Sequence, residues 1–507
     1  MTTPSRSLSR LALAAALVLG VSACDSTVDP PPGGQSVYCD ATPTAFGCPD
    51  SGIEYDTLTA ADVNGRTQIN VRDFGSGTGS SDNRTVTWAG GTTYVLDGLV
   101  FVGPGQTLVI EPGTVVRGRP GSGRNASALI VARGGRIQAE GTATAPIIFT
   151  ALNDDLTSAT DLLDGGAPQS GLWGGLIVLG AAPTNIAVGE TVIEGIDANE
   201  TRGTYGGTNP ADDSGTLRYV SIRHGGTLIG DSNEINGLTL GAVGSGTTID
   251  YVEIFANQDD GIEWFGGTVR ATHLVVSFAG DDMFDYDLGY NGVNQYVFGL
   301  MAEGFGDNGG ENDGADVNLG GAAGEGAQPF AIPTFANVTM VGSGLTAANS
   351  SRALTIRDNA GAKYYRTIFY GFQNGIHIED TSSATLDSRA RIEAGDIVFD
   401  DILFFNTIAQ PTTLATAISY NVDNTLSAVP SALLTGSFVF GTDPGLAIAR
   451  TPGGGLNPVP TNAPMPAGTL PAGLEANAYL GAFGPGGNWL QGWTALSQYG
   501  YTAGPAL

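Results

Sequence analysis

Positive charge is the scarcest property of this chain. Its 507 residues carry 50 Asp and Glu against 21 Lys and Arg, a formal net charge of −29, and Lys363 is the only lysine. A protein that neutralises phosphates needs basic surface to release counterions, which excludes nucleic acid as a partner. A direct electrostatic grip on anionic lipid is excluded on the same ground. Long apolar runs are also missing: beyond the first 23 residues nothing approaches 18 consecutive apolar positions, so no internal segment is expected to cross a bilayer. No Walker-type phosphate loop occurs, and no glycine-rich turn opens a helical pattern, so nucleotide chemistry has no support. The three histidines, His224, His273 and His377, have no Gly-x-Ser-x-Gly elbow nearby, which argues against a nucleophilic triad. Hydrophobic residues, at 41%, are too plentiful for wholesale disorder.

The N-terminus carries an address. Arg6 and Arg10 precede an apolar run from Leu11 to Val21 that is too short to span a membrane, and residues 1–23 read as a secretory signal. Val21-Ser22-Ala23-Cys24 resembles a bacterial lipobox, which implies cleavage before Cys24 and acylation of its thiol and new amine; an ordinary signal with a chance cysteine is the alternative. Several acyl chains on one residue anchor far more firmly than one. The expectation is an exported protein held to a bacterial membrane by lipid, at the cell surface or outer membrane. Asp25 to Gly34, with three prolines and two glycines, reads as a tether. Cys39 and Cys48, the other two cysteines, are expected to close a small disulfide loop in an oxidising compartment, completing residues 24–52. Free thiols, or a metal pair short of the partners zinc needs, are the alternatives.

Glycine is abundant, at 77 residues of 507, twice the usual share of about 7%. From Thr85 onward it separates short apolar strands such as Pro146-Ile-Ile-Phe-Thr and Gly175-Leu-Ile-Val-Leu. No sustained helical face appears. Five segments align: Asn236-Gly-Leu-Thr-Leu, Asp260-Gly-Ile-Glu-Trp, Asp282-Met-Phe-Asp-Tyr, Arg352-Ala-Leu-Thr-Ile and Asn374-Gly-Ile-His-Ile, with starts 24, 22, 70 and 22 residues apart. Their third and fifth residues are apolar and share one face of a strand, and the fourth faces the other way. The interval of 70 reads as three periods with Gly304 to Gly326 thrown out as a loop. Two or three strands per period, with turns too short for helices, describe an all-β, right-handed parallel β-helix with coils of 22–24 residues. A propeller blade needs about 40–50 residues. The solenoid is expected over residues 53–450, with about 11–13 coils and a length of about 55 Å at the usual strand spacing. A Pro/Gly-rich linker and an aromatic C-terminal cap (Tyr479, Phe483, Trp489, Trp493, Tyr499, Tyr501) fill 451–507; a carbohydrate-stacking patch is the other reading of those rings.

Several segments carry a resemblance. Leu108-Val-Ile-Glu-Pro-Gly-Thr-Val-Val, Ser127-Ala-Leu-Ile-Val-Ala-Arg-Gly, Gly171-Leu-Trp-Gly-Gly-Leu, Tyr219-Val-Ser-Ile-Arg-His-Gly-Gly and Gln258-Asp-Asp-Gly-Ile-Glu-Trp-Phe-Gly-Gly resemble a family of bacterial surface lipoproteins, from about Thr85 to the Trp-rich end. The resemblance implies a pectin-lyase-like β-helix and implies no particular reaction. Among pectin-degrading enzymes, the polygalacturonase type uses an Asp-Asp pair, a Gly-His-Gly and an Arg-Ile-Lys. Asp259-Asp260 and Asp281-Asp282 are similar to the first, but the other two are absent. Pectate-lyase-like chemistry would require Ca²⁺ on acidic residues and an arginine base.

The repeat register places the acids. The fourth positions form an outward column of Thr239, Glu263, Asp285, Thr355 and His377, with Glu263 and Asp285 about 5 Å apart on adjacent coils. Asp259, Asp260, Asp281 and Asp282 occupy the preceding turn, and Asp287 lies just beyond. So many carboxylates repel unless protonated or neutralised, and oxygen-only donors suit Ca²⁺. A solvated acidic face paired with arginines is the plainer reading. Glu263, Asp282 and Asp285 are also the catalytic candidates, since carboxyls about 5 Å apart would suit a retaining glycoside hydrolase. The loop with Asp307, Glu311, Asp313 and Asp316 is a second candidate for Ca²⁺, or a flexible acidic loop without the spacing of an EF-hand. Arg117, Arg119, Arg124, Arg133 and Arg136 are expected to pair within the molecule. The chain is therefore expected to be a membrane-anchored binding or structural module that faces a polysaccharide or a surface protein, or else a calcium-dependent polysaccharide lyase or glycoside hydrolase.

Overall fold

The computed structural model describes residues 54–502 apart from 59–60, 63, 74–82, 159, 165–166, 229–234, 346–348, 350, 382–385, 408–412 and 423–424. The signal, Cys24, the tether and the Cys39–Cys48 loop lie outside the described residues.

The chain winds into a parallel β-helix whose coils cross three faces. Early coils use three short strands, such as Thr107–Ile110, Val115–Gly118 and Ala128–Val131. From Gly215–Arg223 onward the first two faces fuse into one long bent strand, whose first half pairs with Arg136–Glu140 and whose second half pairs with Ile147–Ala151. The same bent strand recurs as Thr248–Phe255, Arg270–Ser277, Val293–Leu300, Thr334–Val341, Ala362–Tyr370 and Ile397–Phe405. Twelve parallel strands stack from Gln68–Asp73 to Phe438–Phe440, a length of about 50 Å at the usual spacing.

Each bend is made by one left-handed residue. Tyr219, Tyr251, His273, Tyr296, Asn337, Arg366 and Asp401 have φ between 49° and 62°, a conformation that costs a non-glycine residue about 1–2 kcal/mol. Stacking in register offsets this: the Tyr219, Tyr251, His273 and Tyr296 rings lie 4.4, 4.0 and 4.8 Å apart in turn. His273 sits at this mid-strand bend, with Nδ1 2.9 Å from Asp250.

Alternation fills the interior. Leu238, Leu240, Ile262, Trp264, Phe284, Tyr286, Leu354, Ile356, Ile376 and Ile378 are all buried in one core, each worth about 1.5–3 kcal/mol against exposure. Antiparallel strands cover the sheet edges: Glu54–Leu58 pairs with Gln68–Asp73, and Thr425–Ala428 pairs with Ile418–Val422.

The 70-residue interval holds two coils, not three. Gly310–Asn312 is a strand in the stack, with Asp285 beside Glu311 and Glu311 beside Thr355. Its inward positions are Gly310 and the fully buried Asn312, so apolar periodicity does not reveal it. Leu354 and Tyr364 occupy the volume a side chain at Gly310 would need: an added Cβ would lie 3.0 Å from Leu354 Cδ2 and 3.4 Å from the Tyr364 hydroxyl.

The C-terminal segment departs from the expected end cap by lying along the flank. The outer face of the bent sheet carries Phe255, Val275, Phe298 and Val341, and Phe483, Leu490, Trp493, Leu496 and Tyr501 cover them. Glu253, fully buried, accepts from Ala495 N at 2.6 Å and Ser221 Oγ at 2.5 Å. Farther along, Asn337 donates to the carbonyls of Tyr479 and Gly481, and Asp401 accepts from Ala467 N and Gly468 N.

The arginine group is held internally where it is described. Arg119 lies 3.5 Å from Asp97, Arg133 2.6 Å from Glu190 and Arg136 2.8 Å from Asp213. Arg117 is buried against the carbonyls of Leu152 and Asp154. The side chain of Arg124 is outside the described set.

Candidate functional site

The outward column of the third face divides into three zones. Its register runs Phe101, Ile130, Ile177, Thr239, Glu263, Asp285, Glu311, Thr355, His377, Ser419. The first three are apolar and are roofed by Ile186, Ile193, Ile196 and Tyr205 from an insertion that leaves the coil after Leu179. The next zone is acidic. The last borders a groove of about 370 Å³ that includes Arg352, Thr355, Arg357, His377, Glu379 and Asn421.

The turn ahead of this face stacks Asn236, Asp260, Asp282 and Asn308, and backbone hydrogen bonds fix the two carboxylates in place. Asp260 Oδ1 accepts from Asp282 N at 2.8 Å, while Asp282 accepts from Asn308 N and, at 3.1 Å, from Asn308 Nδ2. Asn236 donates to Glu263 Oε2 and reaches Glu194 Oε1 at 3.4 Å. Asp260, Glu263 and Asp282 are at most 7% exposed.

Three carboxylate groups on this side of the coil are each close enough to hold one ion, and a fourth, Asp154, Asp155 and Asp161, lies elsewhere. Asp260, Glu263 and Asp285 each place an oxygen within 4.8 Å of the other two; so do Asp259, Asp260 and Asp281, and Asp281, Asp282 and Asp307. Asp285 Oδ1 is sealed from solvent and accepts no hydrogen bond. Burial pushes the carboxyls of Asp260, Glu263 and Asp285 well above the ordinary range. Repulsion adds to it, chiefly from Asp282 on Asp260, Glu194 on Glu263 and Glu263 on Asp285. Asp282 is raised likewise, by burial and then by Glu311. Asp287 rises to about 6, mainly through burial, and accepts from Leu288 N.

The second candidate loop is not gathered into one set. Asp307 joins Asp281 and Asp282; Glu311 and Asp313 flank Arg357 at 3.0 and 2.9 Å; Asp316 accepts from Asn318 N and Leu319 N in its own turn. Beside them, burial and then Arg352 lower His377 to about 4, so its imidazole is neutral at pH 7. Its Nδ1 is buried without a partner. Burial and then Asp358 raise Glu379 to about 7.

The structure thus sets Glu263 beside Asp285 and keeps Asp282 on the turn. Sequence reasoning missed Glu194, Arg357 and Glu379. Glu194 comes from a non-repeating insertion and leaves no periodic signal; Arg357 and Glu379 each directly follow the last residue of an aligned segment and could have been found by extending it by one position.

No curated protein matches the chain. The family model for the pectate-lyase like beta helix domain matches residues 79–437, and the chain belongs to that family.

Proposed function

We propose that this protein is an exported, lipid-anchored β-helical rod whose third face binds Ca²⁺ and an acidic glycan. The observation that carries the reading is the set Asp260, Glu263 and Asp285, two buried carboxylates and one half-buried, whose strongest charged neighbours are other carboxylates. An all-oxygen donor set with one sealed, unpaired oxygen on Asp285 fits a hard divalent cation. Asp260, Glu263 and Asp285 would hold it, with Asp259 and Asp281 alongside; the bound ion would supply positive charge to which a uronate carboxylate binds. Arg352 and Arg357 in the adjoining groove serve the same kind of ligand.

The test is binding of oligogalacturonate to the purified protein in Ca²⁺ and in chelator. Binding is expected only with Ca²⁺ and is expected to fall at least tenfold in Glu263→Gln and Asp285→Asn, the loss of about one charged contact. Binding indifferent to chelator and to both variants refutes the reading.

A catalytic reading, lyase or glycoside hydrolase, is favoured by Glu379, whose carboxyl near 7 is placed to exchange a proton at neutral pH. New unsaturated or reducing ends that vanish in Asp282→Asn and Glu263→Gln would establish it. No product across a panel of acidic glycans leaves a binding module.

Anchoring is tested separately. Cys24→Ala is expected to block maturation and move the protein out of the membrane fraction; unchanged partition would sink the lipid anchor.

A further inference from the structure

A second groove opens on the rim where coils turn from the bent sheet to the third face, with a volume of about 430 Å³. Phe278, Ala279 and Ala302 form its apolar wall, and Phe305 lines it while keeping 62% of its surface exposed. Ser170 and Asn257 contribute polar groups. Asn257 is 1% exposed, and its amide nitrogen donates to Ile235 O at 3.2 Å and Asp260 O at 2.7 Å. Those bonds fix the amide, and Oδ1 is sealed from solvent behind the groove wall.

Charge decides the class of ligand. Among the described residues no Asp, Glu, Lys or Arg lines the groove, yet Asp281 follows Gly280 in its wall, and Gly280 N bonds Asp259 O. Anions are therefore repelled, and no cationic side chain is there to receive one. An accessible aromatic ring beside small apolar residues, with isolated polar groups, matches the apolar face and hydroxyl edge of a sugar. We propose that this groove binds one neutral sugar residue, stacked on Phe305, with its hydroxyl edge toward Ser170. The assignment rests on the glycan-facing reading above, but it uses a different surface and needs no cation.

The experiment is saturation-transfer NMR and affinity electrophoresis of the purified protein with cellohexaose, xylohexaose, mannohexaose and chitohexaose, in chelator so that the acidic face is silent. At least one probe is expected to bind, with affinity reduced about tenfold in Phe305→Ala, the loss of one ring contact. Ala302→Trp, which fills the groove, is expected to abolish binding. Phe305 is exposed, so its variant is expected to melt like the parent and isolates binding from folding. Absence of binding to all four probes, or binding unchanged in Phe305→Ala, overturns the proposal. Calcium-dependent oligogalacturonate binding is expected to survive Phe305→Ala and to be lost in Glu263→Gln, so failure of either site is told apart from failure of the other.

Discussion

Trp493→Ala is expected to lower stability by about 3–5 kcal/mol, the usual cost of removing a buried tryptophan, and to make the C-terminal segment a protease target. Trp493 is 1% exposed and meets Tyr219 and Tyr251 edge-on at 5.7 and 5.9 Å, while its Nε1 donates to Trp489 O at 2.8 Å. Its removal opens a cavity over the tyrosine stack that holds two left-handed bends. The same segment is pinned by Glu253, which lies among Ser221, Ala495 and Leu496, and by Arg223, which donates to Gln498 and faces the Tyr499 ring at 5.0 Å. Both charged groups are fully buried, so Glu253→Ala is expected to match or exceed the tryptophan variant by removing one of the two buried carboxylates that balance Arg223. Chemical denaturation and limited proteolysis provide the check. A midpoint within error of the parent, with the segment still resistant, would show that the flank contributes nothing to the fold.

Calcium is expected to raise the melting temperature and chelator to reverse it. Calcium at a hundred times its Kd stabilises the folded state by about 2.7 kcal/mol if only that state binds. The dependence on pH gives an independent reading. In the metal-free protein, Asp287 moves from 3.8 to about 6 and Glu379 from 4.5 to about 7 on folding, and Asp260, Glu263, Asp282 and Asp285 move upward too. Between the unfolded and folded values the native state holds the extra protons. The contribution of these groups to stability is therefore greatest below about pH 4 and is lost as pH rises through 6 and 7. A cation replaces those protons, so the stabilisation by Ca²⁺ grows over the same range. Glu263→Gln removes one repelling charge at nearly constant shape; in chelator it is expected to melt higher than the parent and to respond less to Ca²⁺. A flat pH profile with no response to chelator would dismiss the cation and leave a protonated acidic face.

The parts of the fold legible in the sequence are those where a side chain is repeated by its neighbour one coil away. Alternation at Leu238/Leu240 and Ile262/Trp264 set the inner face, and the same register set Glu263 beside Asp285. Where the interior is filled from another coil, as Tyr364 does over Gly310, the pattern has nothing to report. The second half of the bent strand was legible, in Tyr251-Val-Glu-Ile and His273-Leu-Val-Val, but the bend was not, because its left-handed residues are tyrosine, histidine, asparagine, arginine and aspartate, with no glycine among the seven to mark the turn. The flank segment escaped because the residues it covers and the residues it brings are hundreds of positions apart. Arg357 was hidden for a third reason: its partners Glu311 and Asp313 belong to the coil that periodicity overlooked.

The insertion over Phe101, Ile130 and Ile177 gives the third face a direction. A polymer laid along the outward column meets Ile186, Ile193 and Tyr205 at one end, just above Thr239, so a chain terminus or a sharp turn has to lie there. If the proposed glycan binds there, such a surface would distinguish the two ends of a polysaccharide even with identical units throughout. It would be indifferent to the middle of a long strand held straight, and selective for ends, branch points and short fragments.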